Sequence, residues 1–291
     1  MSFSSLGFSV AFAMLSTQIS QIIPHTQRPI PTQHFPINST YSIVTHDLSI
    51  NYEYISDTEV GVGLIPLLLI GIMLPLCLIL FVGLVIPCLN LKAKTPAGDD
   101  HILPSSSSNY EDDSLNVMNV VAPPPTVLTI KNDLLNILSC FFLAVGTTEA
   151  FTSSIKYYVG RLRPNFFSMC KFSDELMKCT ETDEMLLSEA RKSFPSGHSS
   201  LSFCAMTFVA CCLQTKISEE IVQKKTWLGP IVIDGISLLL WCLPLALASY
   251  VAASRVHDNW HHPSDVVTGA VIGLTCALWC YSKLYIKKLQ N

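Results

Sequence analysis

From Val60 to Asn90 the chain runs about thirty residues without a charged side chain. A helix needs roughly twenty apolar residues to cross the hydrocarbon core of a bilayer, so this stretch commits the chain to a membrane. Further spans are expected at Leu134 to Ile155, Leu201 to Leu213, Leu228 to Ala253 and Val266 to Tyr285. The run from Leu6 to Ile23 is uncharged but diluted by Ser, Thr and Gln, and it reads as a first transmembrane helix or a signal peptide. No basic segment precedes it, which favours the helix. The expected fold is therefore an all-α polytopic membrane protein, a bundle of six transmembrane helices. Composition agrees: 14% of residues are charged and mean hydropathy is +0.42, whereas soluble domains carry about a quarter charged residues. The net charge of −4 with no dense basic run excludes nucleic-acid binding and polybasic docking as organising functions.

The loops divide the chain. Residues 1–59 comprise the first helix and a polar extracytoplasmic loop with a glycosylation sequon at Asn38-Ser39-Thr40. Residues 60–90 are the second helix. Residues 91–131, with "SSSS", "EDD" and "PPP", read as a disordered cytosolic loop. Residues 132–286 hold the remaining four helices, and 287–291 form a cytosolic tail. Lys and Arg number nine on each side of this topology. Setting aside Lys156, Arg163 and Arg255 for chemistry leaves nine against six, which with the sequon places both termini in the cytosol. Most of the eleven cysteines lie in apolar stretches, where cysteine is a small buried hydrophobe. Cys170 and Cys179 sit in a polar loop and form a candidate disulfide if that loop faces an oxidising compartment.

Three polar clusters fall at one face of this bundle. "KYYVGRLRP" ends the third span, "PSGH" at 195–198 opens the fourth, and "SRVHDNWHHPSD" at 254–265 joins the fifth to the sixth. Lys156, Arg163 and Arg255 are three cations beside a bilayer, where an unneutralised charge is expensive, so an anion should meet them. Arginine's planar fork suits phosphate oxygens and lysine adds a point charge. Ser196 and Gly197 stand where a helix begins, so their backbone N–H groups are candidate anion donors. His198 and His261 are candidates for nucleophile, acid or base. Asp265 follows His261 by four residues, within reach on a helical turn, where it would fix the imidazole's tautomer.

These residues resemble the lipid phosphate phosphatases of the type 2 phosphatidate phosphatase superfamily, related to vanadium haloperoxidases. The family pattern K-x6-R-P, P-S-G-H, S-R-x5-H-x3-D is met by Lys156, Arg163 and Pro164, by Pro195, Ser196, Gly197 and His198, and by Ser254, Arg255, His261 and Asp265. The likeness spans roughly residues 133–285 and includes "GRLRPNF", "EARKSFPSGHSS" and "HHPSDVVTG". It implies a metal-independent phosphomonoesterase without cofactors. His261 would attack phosphorus, Asp265 orient it and His198 protonate the leaving alcohol. Lys156, Arg163, Ser196, Gly197 and Arg255 would hold the phosphoryl oxygens. Implied substrates are phosphatidic acid, lysophosphatidic acid, sphingosine 1-phosphate and ceramide 1-phosphate. They would be met on the outer or lumenal face, at the plasma membrane or an internal membrane such as the endoplasmic reticulum. Partners are these lipids and the bilayer, with a homo-oligomer left open.

Taken singly, each residue has a duller reading. Membrane-edge Lys and Arg snorkel to headgroups, PSGH is a turn with a helix cap, and His261 with Asp265 is a capping pair. Three correctly spaced clusters on one face are what those readings leave unexplained. His257 and His261 also show a metal-like H-x3-H spacing without a further ligand set. Two other functions keep the same residues: a phosphatase or phosphotransferase of other phosphate or diphosphate esters, and a non-catalytic lipid-phosphate binder or transporter. Glu149 inside the third span and the pair Arg191 and Lys192 have no assigned role.

Overall fold

The computed structural model describes residues 3–18, 26–36, 42–56, 62–85, 127–223 and 229–289. The chain opens with helix α1 (Phe3–Ser16). Strands β1 (Thr32–Pro36) and β2 (Ser42–His46) pair antiparallel, Thr32 opposite His46. A short 3₁₀ turn, Leu48–Ile50, follows. Then come α2 (Leu64–Leu84) and α3 (Val127–Val159). An insertion after α3 holds α4 (Phe166–Cys170), the two-residue strands β3 (Phe172–Ser173) and β4 (Lys178–Cys179), and α5 (Glu184–Glu189). Three long helices complete the chain: α6 (Gly197–Gln223), α7 (Pro230–His257) and α8 (Pro263–Leu289).

Five described helices, α2, α3, α6, α7 and α8, are long and apolar enough to cross a membrane. The first expected span differs: its described helix has 14 residues, short of the roughly twenty a crossing needs, and residues 19–25 lie outside the description. Asn38 and most of the 91–131 loop also lie outside it, although α3 begins at Val127, inside the expected loop. Span ends shift for local reasons. α6 runs to Gln223 rather than Leu213 because polar residues continue a helix beyond the bilayer as readily as they begin a loop. α7 starts on Pro230, the position where a missing N–H costs nothing. α3 carries on past Lys156 to Gly160, whose φ of 57° makes the left-handed stop while its N–H bonds the Lys156 carbonyl at 3.2 Å.

The core lies among α2, α3, α6 and α8. Phe141 meets Phe208, and Phe208 meets Tyr281, each edge-on with ring centroids 5.6 Å apart. Cys140, Cys204, Cys212 and Cys280 fill the gaps as buried thiols. α6 and α8 approach most closely at Gly269 and Gly273, where an added Cβ would run into the backbone carbonyls of Ser196 and Ser200. This four-residue spacing of glycines lets two membrane helices touch backbone to backbone. Glu149, costly in lipid, accepts a hydrogen bond from Ser153 Oγ at 2.7 Å. α7 packs on α6 but turns Ile231, Leu238, Leu239, Leu243 and Tyr250 outward, burying Ala248, Val251, Ala252 and Arg255 toward its C-terminal end.

A second cluster caps the end of the bundle that carries this insertion: Ile50, Leu162, Phe166, Phe167, Met169, Cys170 and Ala190. Cys170 and Cys179 are joined as a disulfide within it. Residues 26–36 and 42–56 are fastened over this end. Thr26 N donates to the Tyr157 carbonyl at 3.1 Å, Arg28 Nε to the Val159 carbonyl at 2.8 Å, and Tyr52 N to the Pro164 carbonyl at 2.9 Å. Arg191 donates to the Arg28 carbonyl at 2.7 Å.

Candidate active site

All the residues singled out in the three clusters lie at this capped end. Lys156 ends α3, Arg163 stands in the extended segment after it, and Ser196, Gly197 and His198 begin α6. Arg255 lies in the last turn of α7, His261 in the loop that follows, and Asp265 in the first turn of α8. The helix starts are locked together: Ser196 N donates to the Asp265 carbonyl at 3.0 Å, and Ser199 Oγ to the Val266 carbonyl at 2.7 Å. Thr152 Oγ1 on α3 donates to Ser200 Oγ on α6 at 3.0 Å.

His261 is 3% exposed. Its Nδ1 lies 2.6 Å from the Ser193 carbonyl, which can only accept, so Nδ1 carries the proton. Its Nε2 faces Arg163 Nη1 at 3.4 Å; a guanidinium can only donate, so Nε2 presents its lone pair. Burial pushes the imidazole pKa down to about 3, with Arg163 and Lys156 adding to the effect and Asp265 opposing it. His261 is thus a neutral ring with an unprotonated nitrogen aimed into the cation cluster.

Asp265 reaches His261 by an indirect route. Its Oδ2 is 3.8 Å from His261 Nδ1, too long for a good hydrogen bond. Ser193 stands between them: its Oγ donates to Asp265 Oδ2 at 2.6 Å, while its carbonyl holds His261 Nδ1. The carboxylate is completed by Arg161 Nη1 at 2.7 Å and by the His262 N–H at 2.9 Å. The expected direct contact is therefore replaced by a relay through a residue that sequence spacing did not single out.

The cations are held by further unsingled partners. Arg163 donates from Nε to the Glu189 carbonyl at 2.6 Å, from Nη2 to Glu189 Oε2 at 3.2 Å, and from Nη1 to the Trp260 carbonyl at 3.0 Å. Lys192 Nζ bonds the other Glu189 oxygen at 2.9 Å. Partial burial works against an ionised Glu189, but Arg163, Lys156 and Lys192 outweigh it and hold the carboxyl below its ordinary value. Arg255, 1% exposed, pairs with buried Asp258 at 2.8 Å. Arg161, whose Nη1 reaches Asp265, stands two residues before Arg163 in the same loop, and no signal in the spacing singles it out.

Ser196 departs from its expected role. Its N–H is taken by Asp265 and its Oγ accepts from Ser199 N at 3.4 Å, so it caps α6 rather than offering an N–H to an anion. Gly197 keeps its place: a Cβ there would lie 3.6 Å from Lys156 Nζ, so the missing side chain leaves room beside the cation. His198 lies within electrostatic reach of Arg255, His261, Lys156 and Arg163. Among the described residues its buried Nε2 meets no hydrogen-bond partner, a costly state that an incoming polar group would relieve. His257 is exposed and bound to Asp258, so the H-x3-H spacing does not converge. Among the described residues no three His, Cys, Asp or Glu side chains are grouped to hold a metal ion.

The arrangement could hold a group with several anionic oxygens: an imidazole with an unprotonated nitrogen, three basic side chains and a second imidazole lie at one end of the bundle. Comparison with known proteins points the same way. A family model described as "PAP2 superfamily" matches residues 137–288. Lipid phosphate phosphatase 2 of Arabidopsis thaliana is 37% identical over 169 residues, covering 54% of this chain and 54% of that protein. Lipid phosphate phosphatase 1 of the same plant is 38% identical over 168 residues, covering 54% and 47%. The chain thus spans about half the length of these two relatives. Phospholipid phosphatase 1 of Mus musculus is 28% identical over 261 residues, covering 86% of this chain and 76% of that protein. No solved structure matches the chain.

Proposed function

The chain belongs to the PAP2 superfamily, and on that premise we propose that it is an integral-membrane lipid phosphate phosphatase working through a phosphohistidine. The observation that carries this reading is the lone pair of His261 Nε2, aimed at Arg163 by the proton that Ser193 holds on Nδ1. In the first step Nε2 bonds to phosphorus and the P–O bond to the lipid breaks. The leaving oxygen takes its electron pair and a proton from His198. Arg163, Lys156, Arg255 and the Gly197 N–H hold the three phosphoryl oxygens as charge spreads over them. His261 gains positive charge on phosphorylation, which the Ser193 carbonyl and nearby Asp265 stabilise. In the second step His198 takes a proton from water, whose oxygen displaces His261 and releases inorganic phosphate. No step needs a metal.

The substrates proposed are phosphatidic acid, lysophosphatidic acid, sphingosine 1-phosphate and ceramide 1-phosphate, because the site lies at helix ends where a lipid headgroup would sit. The Cys170–Cys179 disulfide at the same end supports an active site facing an oxidising compartment, the cell exterior or a lumen. The test is phosphate release from phosphatidic acid in mixed micelles with excess chelator. Wild type should be active, and His261→Ala should lose on the order of 10³-fold or more. Equal release by both sinks the mechanism, and loss of wild-type release to the chelator sinks metal independence.

A further inference from the structure

Trp260 belongs to no part of the phosphatase pattern, yet it meets both Arg163 and Arg255 beside His261. Its ring lies under the Arg163 guanidinium, 4.7 Å from Cζ to centroid. Its carbonyl accepts from Arg163 Nη1 at 3.0 Å, the same nitrogen that faces His261 Nε2 at 3.4 Å. Its backbone N–H donates to the Arg255 carbonyl at 3.0 Å, beside the His261 N–H at 3.1 Å. The indole Nε1 donates to the Ile55 carbonyl at 3.1 Å, and the Tyr54 ring stands 5.8 Å away. The ring is buried, 8% exposed.

Resting on the phosphatase reading, we infer that Trp260 is a positioning residue for the reaction, and that the extracytoplasmic segment 49–56 acts on the phosphate cradle through it. A guanidinium on a long side chain has many rotamers, and a misplacement of about 1 Å at a reacting centre costs about 10²-fold in rate. The indole supplies a flat face that fixes the plane of the fork, and a cation held over a desolvated ring gains further attraction. Segment 49–56 in turn fixes the indole. Tyr52 N is bonded to the Pro164 carbonyl at 2.9 Å, Tyr54 N to Ser168 Oγ at 3.2 Å, and His262 Nε2 to the Ser49 carbonyl at 3.2 Å. The anchor at Pro164 directly follows Arg163 and that at Ser168 lies in the short helix after it, so one segment braces both the arginine and the ring beneath it.

The experiment measures kcat and KM for phosphatidic acid with the full chain, its Trp260→Leu and Trp260→Phe variants, and Trp260→Leu in an Arg163→Lys background. Trp260→Leu, with its stack lost, should drop kcat by about 10- to 100-fold with KM changed less than about 3-fold. Trp260→Phe keeps a ring but loses the bond to Ile55, and should fall between wild type and Trp260→Leu. In Arg163→Lys, which has no planar fork to hold, Trp260→Leu should cost less than about 2-fold. A purely structural tryptophan would cost the same in both backgrounds, and that outcome overturns the inference. So does a Trp260→Leu enzyme as fast as wild type. Neither result touches the phosphatase reading, which fails only if wild type releases no phosphate.

Discussion

At the scale of the residue, the site shows which parts of its chemistry spacing could announce. The gathering of Lys156, Arg163, His198, Arg255, His261 and Asp265 at one end is legible because the helix ends fix their intervals. Their partners Ser193, Glu189 and Trp260 are not, because each meets its functional neighbour only after separate segments have converged, whereas Asp258 pairs with Arg255 within one helical turn. Ser196 misleads for the same reason: the Asp265 carbonyl that occupies its N–H lies 69 residues downstream. The depressed pKa of His261 gives a prediction here. With a value near 3, the acid limb of kcat/KM owed to His261 should lie well below the ordinary histidine range, since protonation removes the nucleophilic lone pair. Arg163 helps to depress that value. Arg163→Gln should therefore move the limb to higher pH while lowering the rate, as a pH series of kcat/KM will measure; a limb that stays in place or moves down assigns it to another group.

At the scale of the element, hydropathy located five membrane helices but misplaced their ends, because a hydropathy window stops at charge whereas a helix stops at a cap. Val159 is followed by Gly160 and the left-handed turn, and α6 begins where Ser196 accepts from Ser199; neither boundary coincides with a change in polarity. The glycines of α8 yield a prediction at this level. Gly273→Leu would force side-chain atoms into the Ser200 carbonyl and to within 2.8 Å of Cys204 N, against backbone that cannot yield. The overpacking should cost about 1–3 kcal/mol, seen as a lower unfolding temperature in detergent. It should also slow the reaction, because α6 carries His198 and α8 carries Asp265. Gly235→Ala on α7 meets nothing within 4 Å and should leave both measurements near wild type.

At the scale of the whole molecule, the membrane class and the face of the site were legible, since charge-free length and an even number of crossings decide them. The cap was not. Residues 26–36 and 42–56 carry no catalytic signature, and their attachment to α3, Pro164 and Trp260 is written in backbone carbonyls that any sequence possesses. The least supported wall of the site is α7, which delivers Arg255 yet leaves most of its length exposed among the described residues. Solvent exchange around that helix therefore becomes a control on catalysis. Stripping annular lipid should let α7 part from α6 before the other helices melt, drawing one cation out of the site. Activity should then vanish while helical circular dichroism persists, and return when phospholipid is added back; activity and helicity lost together would show that α7 is held by the protein alone. The bilayer would in that sense be a structural subunit of the enzyme as well as the source of its substrate.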